Sequence, residues 1–248
     1  MIATPLEQFE IIALIPFKLG FLNLSFTNSS LFMLFVFGSM ALLLAFGSYQ
    51  STLVPNRWQY LAELSYSFVF NMIDEQLGKS GHRYFPLIFV VFMFVFFSNV
   101  IGMIPYSFTV TSHIIVTFGL ALALFVGINI IGLREHGLHF FSLFLPKGAP
   151  IFLAPLLVMI ELISYIFRVF SLSIRLFANM MAGHTLLKIL AGFGWTMLMM
   201  GGVFYILHLL PLLIVFLLTG LEIGIAFLQA YVFTILTCMY LNDAIHLH

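Results

Sequence analysis

Charge is scarce in this chain. Lys, Arg, Asp and Glu make up 7% of its 248 residues, against about 25% in soluble domains, which excludes an ordinary water-soluble fold. Nine basic and nine acidic residues balance to zero formal charge, so there is no basic patch with which to hold nucleic acid. The single cysteine, Cys238, rules out an intrachain disulfide and reads as packing within an apolar helix. No glycine-rich nucleotide loop of the Walker kind is present, which argues against nucleotide chemistry. His136 and His139 have a spacing that suits a metal, yet no further ligand cluster accompanies them. No metal and no cofactor are expected, and these histidines read as interface residues. At the N-terminus, Glu7 and Glu10 stand where a secretory signal has basic residues, Pro5 and Pro16 interrupt the run, and no Arg-rich transit peptide appears.

Apolar residues fill that space. They are 62% of the chain, with 31 Phe and a mean hydropathy of +1.16. Together they predict an all-α integral membrane protein, a single polytopic domain over residues 1–248 that lies in a lipid bilayer. Residues 1–28 form a mixed-polarity lead-in. Leu31 to Phe46, extendable to Tyr49, is the first span. Residues 50–84 mix Arg57, Glu63, Asp74, Glu75, Lys79 and Arg83 with Trp58, Leu61, Leu64, Tyr66, Phe68 and Ile73. That mixture suits an interfacial amphipathic helix, with a soluble loop as the alternative. Pro86 opens the run Leu87 to Ile104, which Pro105 closes and in which Asn99 reads as an interhelical hydrogen-bonder. The polar turn SFTVTSH, 107–113, leads into Ile114 to Leu133.

After the loop Arg134 to Lys147, three prolines (Pro146, Pro150 and Pro155) bring the chain to a 36-residue run, Leu156 to Ala191, with no proline and one glycine. As a helix it would be about 54 Å long, nearly twice the ~30 Å hydrocarbon thickness of a bilayer. Gly192, Gly194, Gly201 and Gly202 mark the turn after it. The last helix is expected to break at Pro211 and to run from Leu212 to Asn242. Two over-long helices around a glycine-rich turn predict a long tilted hairpin, because tilt accommodates excess length. With the spans so placed, Arg57, Lys79, Arg83, Arg134 and Lys147 collect on one side against Lys18 on the other. This puts the N-terminus outside and the loops on the cytoplasmic or matrix side.

The organising stretch is Ser164 to His184, SYIFRVFSLSIRLFANMMAGH. Ionisable groups at membrane depth cost several kcal/mol and face protein or water, so they are functional candidates. Glu161, Ser164, Arg168, Ser171, Arg175, Ala178 and Ala182 recur by threes and fours along one helix stripe. Small and polar residues on such a stripe admit a closely packed neighbour. Arg175 cannot deprotonate; it can act as a fixed cation toward a partner's carboxylate, or be a snorkelling or quietly paired arginine. His184, nine residues on, faces about 180° away. In the last helix, Glu222 and Gln229 are seven apart and share a face. Glu222 near His184 would make a pair able to exchange protons around neutral pH, or a structural hydrogen bond to the preceding helix. His208 has no assigned role, and Asp243 could be a plain helix-end residue.

Ser171 to His184, SLSIRLFANMMAGH, resembles the signature of subunit a of the F-type ATP synthase membrane sector. The resemblance continues through LEIGIAFLQAYVFTILTCMYLNDAIHLH at 221–248, SNVIGMIPYSFTVTSH at 98–113 and PLEQFEI at 5–11. It covers essentially the whole chain and is nearest the mitochondrial form. It implies a multi-pass protein of the mitochondrial inner membrane, with a bacterial plasma membrane as the alternative. The implied function is to pass protons to and from a rotating c-ring. Other implied partners are the peripheral stalk and further membrane-sector subunits. The arginine matching Arg175 sits between two offset half-channels, facing the ring carboxylate. His184 and Glu222 match a polar pair in the half-channel open to the proton-rich side. Glu161 matches the inner half-channel, with Asp243 nearby, and Asn179 and Gln229 match polar residues near the arginine. The subunit would be non-catalytic, part of a machine that makes ATP elsewhere.

Two other classes compete on the residues alone. A proton-coupled secondary transporter would also bury charge, but usually shows inverted repeats and broken helices, and no repeat is evident. A respiratory-complex subunit or structural anchor would not need an arginine on a small-residue stripe.

Overall fold

The computed structural model describes residues 7–19, 22, 23, 25–49, 51–104, 107–137, 139, 140 and 154–245. Seven α-helices dominate them: α1 Asn28–Ser48, α2 Arg57–Leu77, α3 Phe85–Gly102, α4 Ile114–His136, α5 Ala154–Met200, α6 Phe204–Leu207 and α7 Leu209–Ile245. Among the described residues, five helical stretches are long and apolar enough to cross a membrane: Asn28–Ser48, Arg57–Gly102, Ile114–His136, Pro155–Met200 and Phe204–Ile245. The all-helical membrane class expected from composition therefore holds. Pro105, Pro146, Lys147 and Pro150 lie outside the described residues.

The lead-in departs from pure helix. Strands β1 Ala13–Ile15 and β4 Phe26–Thr27 pair antiparallel, as do β2 Lys18–Leu19 and β3 Leu22–Asn23. Apolar and polar residues are mixed too finely there for a helical stripe, and the strands pair their backbone groups with each other instead. The ladder delivers Thr27 to the start of α1. The Ser30 amide reaches Thr27 Oγ1 at 3.4 Å, and the Thr27 amide reaches Ser30 Oγ at 2.9 Å. This reciprocal cap satisfies two amides at the helix end.

The chain divides into two compact units. Unit 1 comprises Met1–Met40, Phe94–His113 and Leu176–Ala230. In it, the later part of α5 and the first part of α7 form an antiparallel helical hairpin. The turn falls at Gly201 and Gly202, whose φ angles are 72° and 62°, conformations that glycine adopts without steric cost. The expectation of a turn beginning at Gly192 is thereby corrected. Gly192 and Gly194 stay inside α5, at a cost of about 1 kcal/mol each relative to alanine, and the helix reaches 47 residues, about 70 Å. Pro211 does not break the last helix either. It is the third residue of α7, in the first turn, where a missing N–H leaves no helical bond unmade. The interruption lies at His208, between α6 and α7, and its imidazole bonds back to the Tyr205 carbonyl.

Unit 2 comprises Ala41–Met93, Ile114–Arg175 and Tyr231–His248. Of residues 50–84, read as an interfacial amphipathic helix with a soluble loop as the alternative, Arg57–Leu77 form one α-helix. Val69, Met72, Ile73 and Leu77 are buried on one face, while Arg57, Glu63, Asp74 and Glu75 stay exposed. Tyr66 and Phe68 of α2 make aromatic contacts with α3, Tyr66 on Phe85 at 4.6 Å and Phe68 on Phe92 at 5.5 Å. In α4, Thr117, Ala121, Leu124, Ile128 and Gly132 are buried at steps of three and four, one helical face. His136 near its end lies 2.7 Å from the Ile245 carbonyl, tying α4 to the last turn of α7.

Candidate functional site

Unit 1 gathers four of the expected residues. On α5 and α7, His184 and Glu222 line one small cavity with Met103, Asn179, Met180 and Ile225. Its volume is about 10 Å³, close to the least that admits one water molecule. Glu222 is buried, and neither carboxylate oxygen has a hydrogen-bond partner among the described residues. His184 and Glu222 are not directly bonded to each other. His184 Nε2 instead lies 3.2 Å from the Thr109 hydroxyl. The two residues expected near each other thus share one cavity, with no direct hydrogen bond between them. Gly183 explains how Glu222 comes so close to α5: a Cβ there would overlap its carboxylate. Farther from the turn, Asn179 Nδ2 donates to Gln229 Oε1 at 3.0 Å, while Gln229 Nε2 is buried without a partner among the described residues.

Unit 2 holds the other three. Arg168 is clamped between two carboxylates, with its NH1 3.1 Å from Asp243 Oδ2 and its NH2 3.8 Å from Glu161 Oε1. Its guanidinium also lies over the rings of Tyr165 and Tyr240, 5.6 and 5.3 Å from their centroids, within cation–π range. Tyr165 donates to Asn129 Oδ1 at 2.8 Å, which fixes one of those rings. Asp243 is thus no mere helix-end residue, and it meets Glu161 through the arginine between them. Arg175, two turns past Arg168 on α5, differs. Its side chain is exposed, and among the described residues it makes neither an ion pair nor a hydrogen bond.

Sequence reasoning passed over Thr109, Gly183 and the central position of Arg168. Arg168 had a usable signal, an arginine seven residues after a glutamate on one helix face. Threonine and glycine in an apolar chain carry none. His139 is exposed, and among the described residues no group of three His, Cys, Asp or Glu is placed to hold a metal ion.

Comparison with known proteins gives the family. A family profile described as "ATP synthase A chain" matches residues 29–242, which include every residue of both clusters except Asp243. The "ATP synthase subunit a" of Marchantia polymorpha is 60% identical over 252 residues, covering the whole of both chains. That of Chondrus crispus is 55% identical over 248 residues, all of this chain and 98% of the other. That of Brassica napus is 58% identical over 252 residues, 99% of this chain and 97% of the other. On a profile spanning most of its length and full-length relatives at this identity, the chain belongs to the ATP synthase subunit a family.

Proposed function

We propose that this protein is the proton-translocating stator subunit of an F-type ATP synthase, and that it carries protons by two separate polar routes divided by Arg175. The observation that carries this reading is the contrast between two arginines on one helix. Arg168 is satisfied by Glu161 and Asp243. Arg175 is exposed and keeps its charge for a group outside the described residues. An unpaired permanent cation on a long apolar helix is costly unless something meets it, and a carboxylate on a neighbouring ring of chains is the fitting partner.

In this reading the His184–Glu222 cavity belongs to the route from the proton-rich side, with Asn179 and Gln229 extending it. Glu161 and Asp243 belong to the route on the inner side. Both clusters consist of groups that bind and release protons or position those that do. Arg175 favours the ionised form of a ring carboxylate as it passes, so the proton leaves there. The same charge opposes direct passage of a proton between the routes. No chemical bond other than those of the proton is made or broken on this chain, so its role is non-catalytic. The peripheral stalk and other membrane-sector subunits would hold it beside the ring, in the mitochondrial inner membrane with the N-terminus outside.

Two measurements test this. The native complex, purified through this chain, should contain ATP-hydrolysing subunits. Cysteines placed at Glu161 and Glu222, in a Cys238→Ala background, should react with a membrane-impermeant thiol reagent from opposite sides. Labelling of both from the same side rules the two-route arrangement out.

A further inference from the structure

The segment 107–113, SFTVTSH, is a polar stretch of unit 1, and the reading above gives it no task. It is firmly held. Ser107 Oγ donates to the carbonyls of Ile101 and Gly102 at 2.8 and 2.9 Å, and Ser112 Oγ donates to the Thr109 carbonyl at 2.6 Å. Thr111 Oγ1 donates to Asn99 Oδ1 at 3.0 Å. Asn99 Nδ2 in turn donates to the Ala226 carbonyl at 3.3 Å, one turn beyond Glu222 on α7. Asn99 and Thr111 are 0% and 2% exposed, so these bonds form where water does not compete.

Thr109 carries this segment's contact with His184 on α5. Thr109 is 3% exposed, and its Oγ1 lies 3.2 Å from His184 Nε2 and 3.4 Å from the Gly102 carbonyl. A threonine hydroxyl has one proton and two lone pairs. Directed to the Gly102 carbonyl, its proton leaves a lone pair to accept N–H from His184 Nε2. The imidazole then keeps its permanent proton on Nε2. Nδ1, with no partner among the described residues, is left as the nitrogen that gains and loses a second one. Which ring nitrogen titrates is set by the bond the other makes.

We infer that Thr109 is the positioning residue of His184, and that the 107–113 segment, braced on α3 and α7, fixes the tautomer in which that histidine handles protons. The inference rests on the reading of His184 as part of a proton route. The titratable groups about His184 are Glu222 across the cavity on α7 and Lys188 one turn on in α5. The segment itself contributes His113, whose ring stacks on Phe108 at 5.1 Å.

ATP-driven proton pumping by the assembled complex in membrane vesicles, followed across pH and normalised to assembled complex, tests this. Thr109→Val keeps the shape and removes the hydroxyl, while Thr109→Ser keeps the hydroxyl. Loss of one hydrogen bond of ordinary strength corresponds to a displacement of about 0.4–1 pH unit. The valine variant should show that displacement, and the serine variant should follow the parent. In a His184→Gln background, Thr109→Val should move nothing further. Superimposed profiles for all three chains overturn the inference, as does an equal loss in both variants with no displacement. If His184→Gln removes the pH dependence while Thr109→Val leaves it in place, only the positioning role fails. If His184→Gln itself pumps with the parent's profile, the proton-route reading of His184 fails as well.

Discussion

Gly183 and Glu222 occupy one another's space: the carboxylate on α7 lies where the side chain of any other residue at 183 would begin, with Cδ 2.9 Å from the place of a Cβ. Adjacent in sequence to His184, Gly183 thereby sets how near the carboxylate comes to α5. Gly183→Ala should push Glu222 out of the cavity it shares with His184. Overpacking of this kind costs about 1–3 kcal/mol, so the complex should still assemble. Proton pumping per assembled complex should fall at least about tenfold, a loss equivalent to ~1.4 kcal/mol. Pumping at the parental rate would show that the close approach has no part in proton transfer.

Glu222→Gln keeps the volume and removes the exchangeable proton. Pumping should slow and its pH dependence between about pH 6 and 8, the range in which histidine changes charge, should alter. Unchanged pumping across that range reduces Glu222 to a structural residue.

Arg168→Gln leaves Glu161 and Asp243 facing each other without their cation. Arg168 is 26% exposed and Asp243 41%. The cost therefore falls between the ~1 kcal/mol of a surface pair and the ~3–5 kcal/mol of a buried one. The thermal midpoint of the purified membrane sector should drop, and Arg168→Gln combined with Asp243→Asn should regain part of it. Strict additivity of the two single losses contradicts the clamp, because residues that interact do not act independently.

Much of the fold was legible because apolar runs are long and ionisable residues in them are few. The positions of α1, α3 and α4 follow from where those runs lie, with ends that differ by up to three residues. The hairpin turn was harder to place. Gly192 and Gly201 look alike in sequence, and only the second pair adopts a left-handed backbone. Pro211 misled for a related reason: a proline's effect depends on its distance from the helix start, which no local pattern supplied. At the site, Arg175, His184 and Glu222 stood out as costly residues in lipid. Thr109 did not, since its importance lies in a contact 75 residues away in the chain.

In the proposed function, Arg175 offers an uncompensated charge to a carboxylate on another chain. Glu161, the nearest acidic residue on its own helix stripe, is fourteen residues away, about 21 Å along the axis, and is already engaged with Arg168. Arg175→Lys should largely fail, because lysine is a point charge without the guanidinium fork and gives up its proton when buried. The most direct measurement is ATP-driven proton pumping by vesicles carrying Arg175→Ala, normalised to assembled complex. The complex should assemble and pumping should be abolished, with passive proton leak where the barrier is lost. Near-normal coupled pumping by the alanine variant would contradict it.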